Sequence, residues 1–93
     1  MHYKFFNIRM KRYFKSTAES LYGIGEVFFE FEGEWATRQI ENYGDRWFTS
    51  RHDHHNELGP GLADQPLSEI GLTKSDEISR TEFETLWAES LSR

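Results

Sequence analysis

The sequence contains no cysteine among its 93 residues. That absence excludes disulfides, Cys-ligated zinc or iron–sulfur sites and thiol catalysis, and it is typical of a cytoplasmic protein, which is the location we predict. No apolar run approaches the roughly 18 residues that span a bilayer. The N-terminal segment also lacks the uninterrupted apolar core of a signal peptide. We therefore expect neither a membrane span nor a leader.

Acidic residues are absent from the first fifteen positions, which hold five of the eleven Lys and Arg residues. All sixteen Asp and Glu residues follow, so a basic segment precedes an acidic body and the net charge is −5. Exposed Tyr or Phe in such a segment can stack on bases while the cations track phosphates. The same aromatics equally suit a core, and the acidic body would repel a polyanion. Nucleic-acid binding is therefore a disfavoured hypothesis, and its candidate residues are Lys4, Arg9, Lys11, Arg12 and Lys15.

Aromatic residues are abundant, at 16% of the chain, beside 37% apolar and 29% charged residues. This composition is typical of a globular protein, and the length predicts a single domain spanning residues 1–93. The domain is organised around the stretch 25–51. There Val27, Phe29 and Phe31 occupy alternate positions, as one face of a half-buried strand requires.

Turn signals divide this stretch into three strands. Gly33 lies between two glutamates, where a residue that tolerates positive φ suits a sharp reversal. Gly44 and Asp45 supply a second turn signal before the last strand. A two-residue turn at that point places Trp47 opposite Asn42. The pattern therefore predicts a three-stranded antiparallel meander.

The N-terminal flank predicts one further strand and a connection. Residues 2–9 (HYKFFNIR) are typical of an edge strand because Lys and Arg discourage edge-to-edge association. Tyr13 and Phe14 either continue this strand after a bulge or form a second strand. Residues 16–25 (STAESLYGIG) are interpreted as the connection to the meander. Ser16 and Glu19 have capping-box spacing, which is compatible with one turn of helix in this connection.

The strongest helix signal begins after Ser79, a favourable N-cap residue with Glu82 three positions later. The apolar stripe of this helix consists of Phe83, Leu86, Trp87 and Leu91. Glu84 is placed away from the stripe, and the Thr73-x-x-Asp76 spacing predicts a capped turn just before the helix. The predicted fold class is α+β, with an antiparallel β-sheet of about four strands around the central meander and a C-terminal α-helix packed on one face.

Three segments carry a resemblance to a known family: GEWATRQIENYGDRWFTS, GPGLADQPLSE and DEISRTEFETLW. They resemble a family of small bacterial proteins classed only as a domain of unknown function. The resemblance covers residues 26–91, and its most specific parts are WATRQ and the EIS-x-x-EFE-x-x-W helix. It implies a compact sheet-plus-helix domain and assigns no catalytic residue.

A histidine-rich cluster is the clearest candidate metal site, and it lies in the irregular segment 52–66. Long irregular loops often carry function. The cluster consists of His52, Asp53, His54 and His55. Zinc or nickel accepts such ligands, and His2 is a possible further nitrogen donor. Adjacent residues of an extended segment point apart, however, and no helical pair with H-E-x-x-H spacing exists. We favour a solvated polar loop, with metal binding as the alternative.

Glu30 and Glu32 share one strand face, about 7 Å apart by strand rise. That separation falls within the range of inverting glycosidases. Acid catalysis also needs a desolvated carboxyl with a raised pKa, whereas an acidic strand face normally lies in water. We expect cross-strand pairing with Arg38 or Arg46 instead.

Tryptophan and arginine side chains in the meander form a candidate binding surface. Its members are Trp35, Arg38, Arg46 and Trp47. The predicted register places Trp47 on the sheet side of Ala36 and Arg38, and Trp35 on the other. An exposed Trp47 beside Arg38 would be a recognition patch of the kind found at protein interfaces. A buried Trp47 is core, which is the interpretation we favour.

No catalytic residue and no cofactor emerges from these patterns. The function we favour is a small non-enzymatic protein-interaction module, regulatory or protective, with another protein as its partner. We expect a monomer or weak dimer. The alternatives are a metal-binding protein or metal-dependent enzyme using residues 52–55, and nucleic-acid binding through the basic N-terminal strand.

Overall fold

The computed structural model describes residues 10–50 and 62–93 of the chain. In these ranges the chain forms a five-stranded sheet followed by one α-helix. The strands are β1 (Lys11–Ser20), β2 (Gly23–Glu32), β3 (Trp35–Asn42), β4 (Trp47–Thr49) and β5 (Glu77–Ile78), and the helix is α1 (Arg80–Leu91). Short 3-10 helices at Leu67–Glu69 and Lys74–Asp76 lie between β4 and β5.

The strand order is β4-β3-β2-β1-β5, and every neighbouring pair is antiparallel. The predicted meander is confirmed as β2, β3 and β4, with Gly33 at φ 63° in the first turn. Across the second turn the Tyr43 amide donates to the Arg46 carbonyl at 2.8 Å. Trp47 therefore pairs with Asn42, as the register predicted. The α+β fold class is confirmed, with five strands because the short β5 joins the outer edge of β1.

The predicted connection at residues 16–25 is wrong, because this segment belongs to two long strands. Ser16 pairs with Val27, and the ladder continues to Ser20 opposite Gly23. A capping box would stabilise a helical turn here by about 1 kcal/mol. Pairing along the apolar strand β2 offers a whole ladder of backbone hydrogen bonds and outweighs it. The strand predicted at residues 2–9 lies outside the described residues.

A β-bulge interrupts the register between β2 and β3. Glu30 pairs with Arg38 but Phe31 pairs with Ala36, so Thr37 is the extra residue. An extra residue reverses the alternation beyond it. Ala36 therefore packs with Phe31, on the side of the sheet opposite Arg38, and its predicted placement beside Arg38 is wrong. Trp35 pairs with Glu32, on the side of Arg38, so its predicted placement on the other side is wrong as well.

The two faces of the sheet carry separate apolar clusters. The face against α1, here called the helix face, holds a cluster of Tyr13, Phe28, Ile40 and the helix residue Phe83. The opposite face, here called the loop face, holds Phe14, Val27, Phe29 and Phe31. Ala63, Leu67, Ile70 and Leu72 pack against part of the loop face. Towards the β1–β2 hairpin, the described residues of that face form a concave surface.

Helix α1 begins where the sequence predicts. The Ser79 hydroxyl accepts the Glu82 amide at 3.0 Å, and Phe83 is fully buried against the sheet. A capping box at Thr73 and Asp76 confirms the predicted turn before it. The predicted placement of Glu84 away from the sheet is wrong, because its carboxylate accepts a hydrogen bond from Arg38 on the sheet. No helix in the described ranges is long and apolar enough to cross a membrane.

Candidate functional site

Arg38, the central residue of the predicted binding surface, lies inside an ion cluster between sheet and helix. Its guanidinium donates to both oxygens of Glu30, at 2.9 and 2.7 Å, and to both oxygens of Glu84, at 3.1 and 2.7 Å. The same group lies 5.0 Å from the ring centroids of Phe83 and Trp87. These hydrogen bonds raise the pKa of Arg38. Arg38 therefore joins α1 to the sheet and offers little surface for recognition.

Glu30 is the most deeply buried charged group described, with 1% of the residue exposed. Its carboxylate also accepts the Tyr13 hydroxyl at 3.0 Å and the Thr37 hydroxyl at 2.8 Å. Burial alone would raise the pKa of Glu30, but the hydrogen bonds from Arg38 and Thr37 outweigh burial and lower the pKa to about 2. The predicted pairing of Glu30 with Arg38 is confirmed. Glu30 thus carries a negative charge at neutral pH, unlike the general acid of a glycosidase.

The other predicted surface residues do not form one patch. Trp47 is half-buried against the helix-face cluster, and the Arg93 guanidinium lies 4.2 Å from its ring centroid. Trp35 is 55% exposed at the opposite end of β3. Arg46 is exposed and lies over the Tyr22 ring at 4.7 Å. The four residues are therefore divided between the helix interface and the two ends of β3.

The basic N-terminal residues are described only in part, since Lys4 and Arg9 lie outside the described ranges. Arg12 binds Glu77 of β5 through two 3.0 Å hydrogen bonds. Lys11 lies 4.0 Å from Glu30. Lys15 is exposed on β1. Two of the three described cations therefore have an internal carboxylate partner.

The histidine-rich cluster also falls outside the described residues. It comprises His52, Asp53, His54 and His55, and His2 lies outside as well. Among residues 10–50 and 62–93, no group of three or more His, Cys, Asp or Glu residues is arranged to hold a metal ion. The metal hypothesis therefore stays a prediction.

A concavity of about 370 Å³ lies on the loop face between described residues of β1, β2 and β3, and is here called the loop-face pocket. Its apolar lining comes from Ala18 of β1, Val27 and Phe29 of β2, and Ala63 of the segment that returns to the sheet. The register makes these neighbours, because Val27 pairs with Glu41 and Phe29 with Gln39. Its size lies in the range of natural ligand sites.

Polar groups on β3 and just beyond it complete the loop-face pocket, in fixed orientations. Gln39 Nε2 donates to Glu41 Oε2 at 2.9 Å, and the Tyr43 hydroxyl donates to Glu41 Oε1 at 2.8 Å. The Ala63 amide donates to Gln39 Oε1 at 2.7 Å and so fixes which way the amide faces. Burial and the adjacent Glu41 carboxylate raise the pKa of Tyr43 to about 12. Tyr43 therefore remains a hydrogen-bond donor throughout the physiological pH range.

Glycine is required beside the loop-face pocket. A Cβ atom on Gly25 would lie 2.2 Å from the Asn42 carbonyl oxygen and 2.6 Å from Tyr43 Cδ1. Real Cβ atoms do not make contacts this short, so a substitution there must displace the Tyr43 ring or the backbone. Gly25 therefore leaves the space that the Tyr43 ring and the Asn42 carbonyl occupy.

The tip of the β1–β2 hairpin lies next to the loop-face pocket and carries large exposed apolar residues. β3 pairs with β2 only from Glu26 onward, so the hairpin end extends past β3. Leu21 and Ile24 at this end are 67% and 73% exposed. Glu19, which pairs with Ile24, also lines the pocket. An apolar tip and a concave polar site thus share one end of the molecule.

No sequence pattern described above indicates the loop-face pocket. Gln39, Glu41 and Tyr43 have period-two spacing, which marks one side of an extended chain. Only the strand register shows that this side also carries Val27 and Phe29.

Comparison of the chain with protein-family models, curated proteins and solved structures finds no match.

Proposed function

We propose that the protein is a non-enzymatic protein-interaction module, regulatory or protective, that binds its partner through the loop-face pocket and the adjacent hairpin tip. One observation carries the proposal: an apolar tip with Leu21 and Ile24 exposed borders a concave site whose polar groups are already oriented. Interfaces concentrate affinity in apolar anchors that surround a few well-placed polar groups. Orienting these groups before binding also reduces the entropy cost of association.

Site-specific photo-crosslinking tests this proposal in cells that produce the protein, with the cytoplasm as the predicted compartment. A photoreactive amino acid replaces Leu21 in one version and Thr85 on the exposed side of α1 in the other. We expect one discrete crosslinked protein from position 21 and none from position 85. Equal crosslinking from both positions would refute the proposed surface.

A purified partner then allows a quantitative test. Ala18→Arg fills the loop-face pocket with its own side chain, whereas Ala88→Arg makes the same change on the exposed side of α1. We expect the first variant to weaken binding by about tenfold or more, since a central contact is lost. The second variant should bind like the parent protein. Unchanged affinity in Ala18→Arg would show that the pocket takes no part in binding.

A further inference from the structure

We infer that the loop-face pocket receives a basic side chain, with arginine the best fit, from an exposed segment of the partner protein. This inference rests on the proposed function, and it adds the chemistry of the group that enters. The acceptor is the Glu41 carboxylate.

The geometry of Glu41 leaves acceptor capacity on both oxygens. Among the described residues, each oxygen accepts one side-chain hydrogen bond, Oε1 from Tyr43 and Oε2 from Gln39. A carboxylate oxygen has about two lone-pair positions, so one on each oxygen remains for a ligand. Two parallel acceptors suit the paired N–H groups of a guanidinium, which binds carboxylates in a bidentate manner.

The surroundings of Glu41 also select a cation with an apolar stem. Among the described lining residues there are two carboxylates, Glu19 and Glu41, and no basic side chain. An anionic ligand would therefore be repelled. Val27 and Phe29 provide apolar surface for the methylene groups that Arg and Lys bury when their charged ends are bound. The net charge of −5 further favours the approach of a basic partner segment.

Short peptides test the inference without knowledge of the partner. The probes are the capped tripeptide Ala-Arg-Ala and its neutral analogue Ala-citrulline-Ala, titrated into the isotopically labelled protein and followed by NMR. The reporters are the Gln39 side-chain amide and the Ala63 backbone amide, which adjoin Glu41 in the hydrogen-bond network. We expect the arginine peptide to shift both signals with millimolar affinity, as befits a single side chain. The citrulline peptide should bind at least about tenfold more weakly because the charge-assisted pair is missing.

Matched variants separate the pocket from general electrostatic attraction. Glu41→Gln should abolish the shifts, whereas Glu69→Gln removes an exposed carboxylate outside the pocket and should leave them unchanged. The shifts in the parent protein should also decrease as salt is added. Equal binding of the two peptides, or arginine-dependent shifts that persist in Glu41→Gln, would overturn the inference.

The two proposals fail in distinguishable ways. Crosslinking from Leu21 without any arginine-dependent shift would retain the interaction surface and refute only the basic side chain. Arginine-dependent shifts without crosslinking would retain the cation site and refute the proposed protein partner at the hairpin tip.

Discussion

Arg38→Met tests whether the ion cluster between sheet and helix holds Glu30 in place. Methionine keeps apolar contact with Phe83 and Trp87 but removes the cation, so a carboxylate with 1% exposure loses its hydrogen-bonded charge partner and keeps only Lys11 at 4.0 Å. Loss of one partner from a buried pair typically costs about 3–5 kcal/mol. A chain of this length is stabilised by about 5–14 kcal/mol in total. We therefore expect the melting temperature to fall by about 12 °C or more.

Urea unfolding followed by tryptophan fluorescence measures this cost, and two further variants define its origin. Glu84→Gln alters the half-exposed end of the cluster, where the side chain is 42% exposed, and should cost about 1 kcal/mol or less. The double variant Glu30→Met, Arg38→Met removes both buried charges together. It should be more stable than Arg38→Met alone, because no unpaired charge remains. An Arg38→Met cost as small as that of Glu84→Gln would refute this account of the cluster.

Three further outcomes follow from the described contacts. Because the pKa of Glu30 is lowered from 4.5 to about 2, its charged form stabilises the fold above pH 4.5. As pH falls from 4.5 to 2, the free energy of unfolding, measured with urea, should decrease by about 3 kcal/mol, and Glu30→Gln should lack this decrease. Gly25→Ala should destabilise the protein by about 1–3 kcal/mol through overpacking, and a native Tyr43 signal in its NMR spectrum would contradict the contact described. Ultraviolet absorbance should show Tyr43 titrating with a pKa of about 12, and comparison with Tyr43→Phe identifies its contribution. Glu41→Gln should bring the pKa of Tyr43 closer to that of free tyrosine.

The meander and the helix could be predicted because their signals are local. Alternation at Val27, Phe29 and Phe31, the turn glycines and the Ser79 cap each act within a few residues of the chain. Strand β1 could not be predicted in its true position because Ser16 to Ser20 is polar and helix-compatible. Only pairing with the apolar strand β2 makes this segment extended, and such pairing is a tertiary effect.

Helix packing and the bulge explain where the residues of the predicted binding surface lie. Simple alternation placed Ala36 beside Arg38, whereas the extra residue Thr37 moves Ala36 to the loop face. The packing of α1 on the sheet takes Arg38 and Glu30 out of solvent, which alternation does not indicate. Nothing in the segment Trp35 to Arg38 marks a bulge, since its residues are ordinary for a strand. The loop-face pocket was missed for a related reason, because its apolar and polar groups come from different strands whose register is fixed only in the folded sheet.

The position of β5 at the outer edge of β1 has a consequence for biosynthesis. Arg12 and Glu77 are separated by 65 residues in sequence, and yet their strands are neighbours. A nascent chain emerging from the ribosome can assemble the four-strand meander early, since each of those strands pairs with the next along the polypeptide. Tyr13, Phe28 and Ile40 then lack their contact with Phe83 until α1 has left the ribosome. During that interval the nascent chain exposes an apolar surface, and we expect it to depend on holdase chaperones.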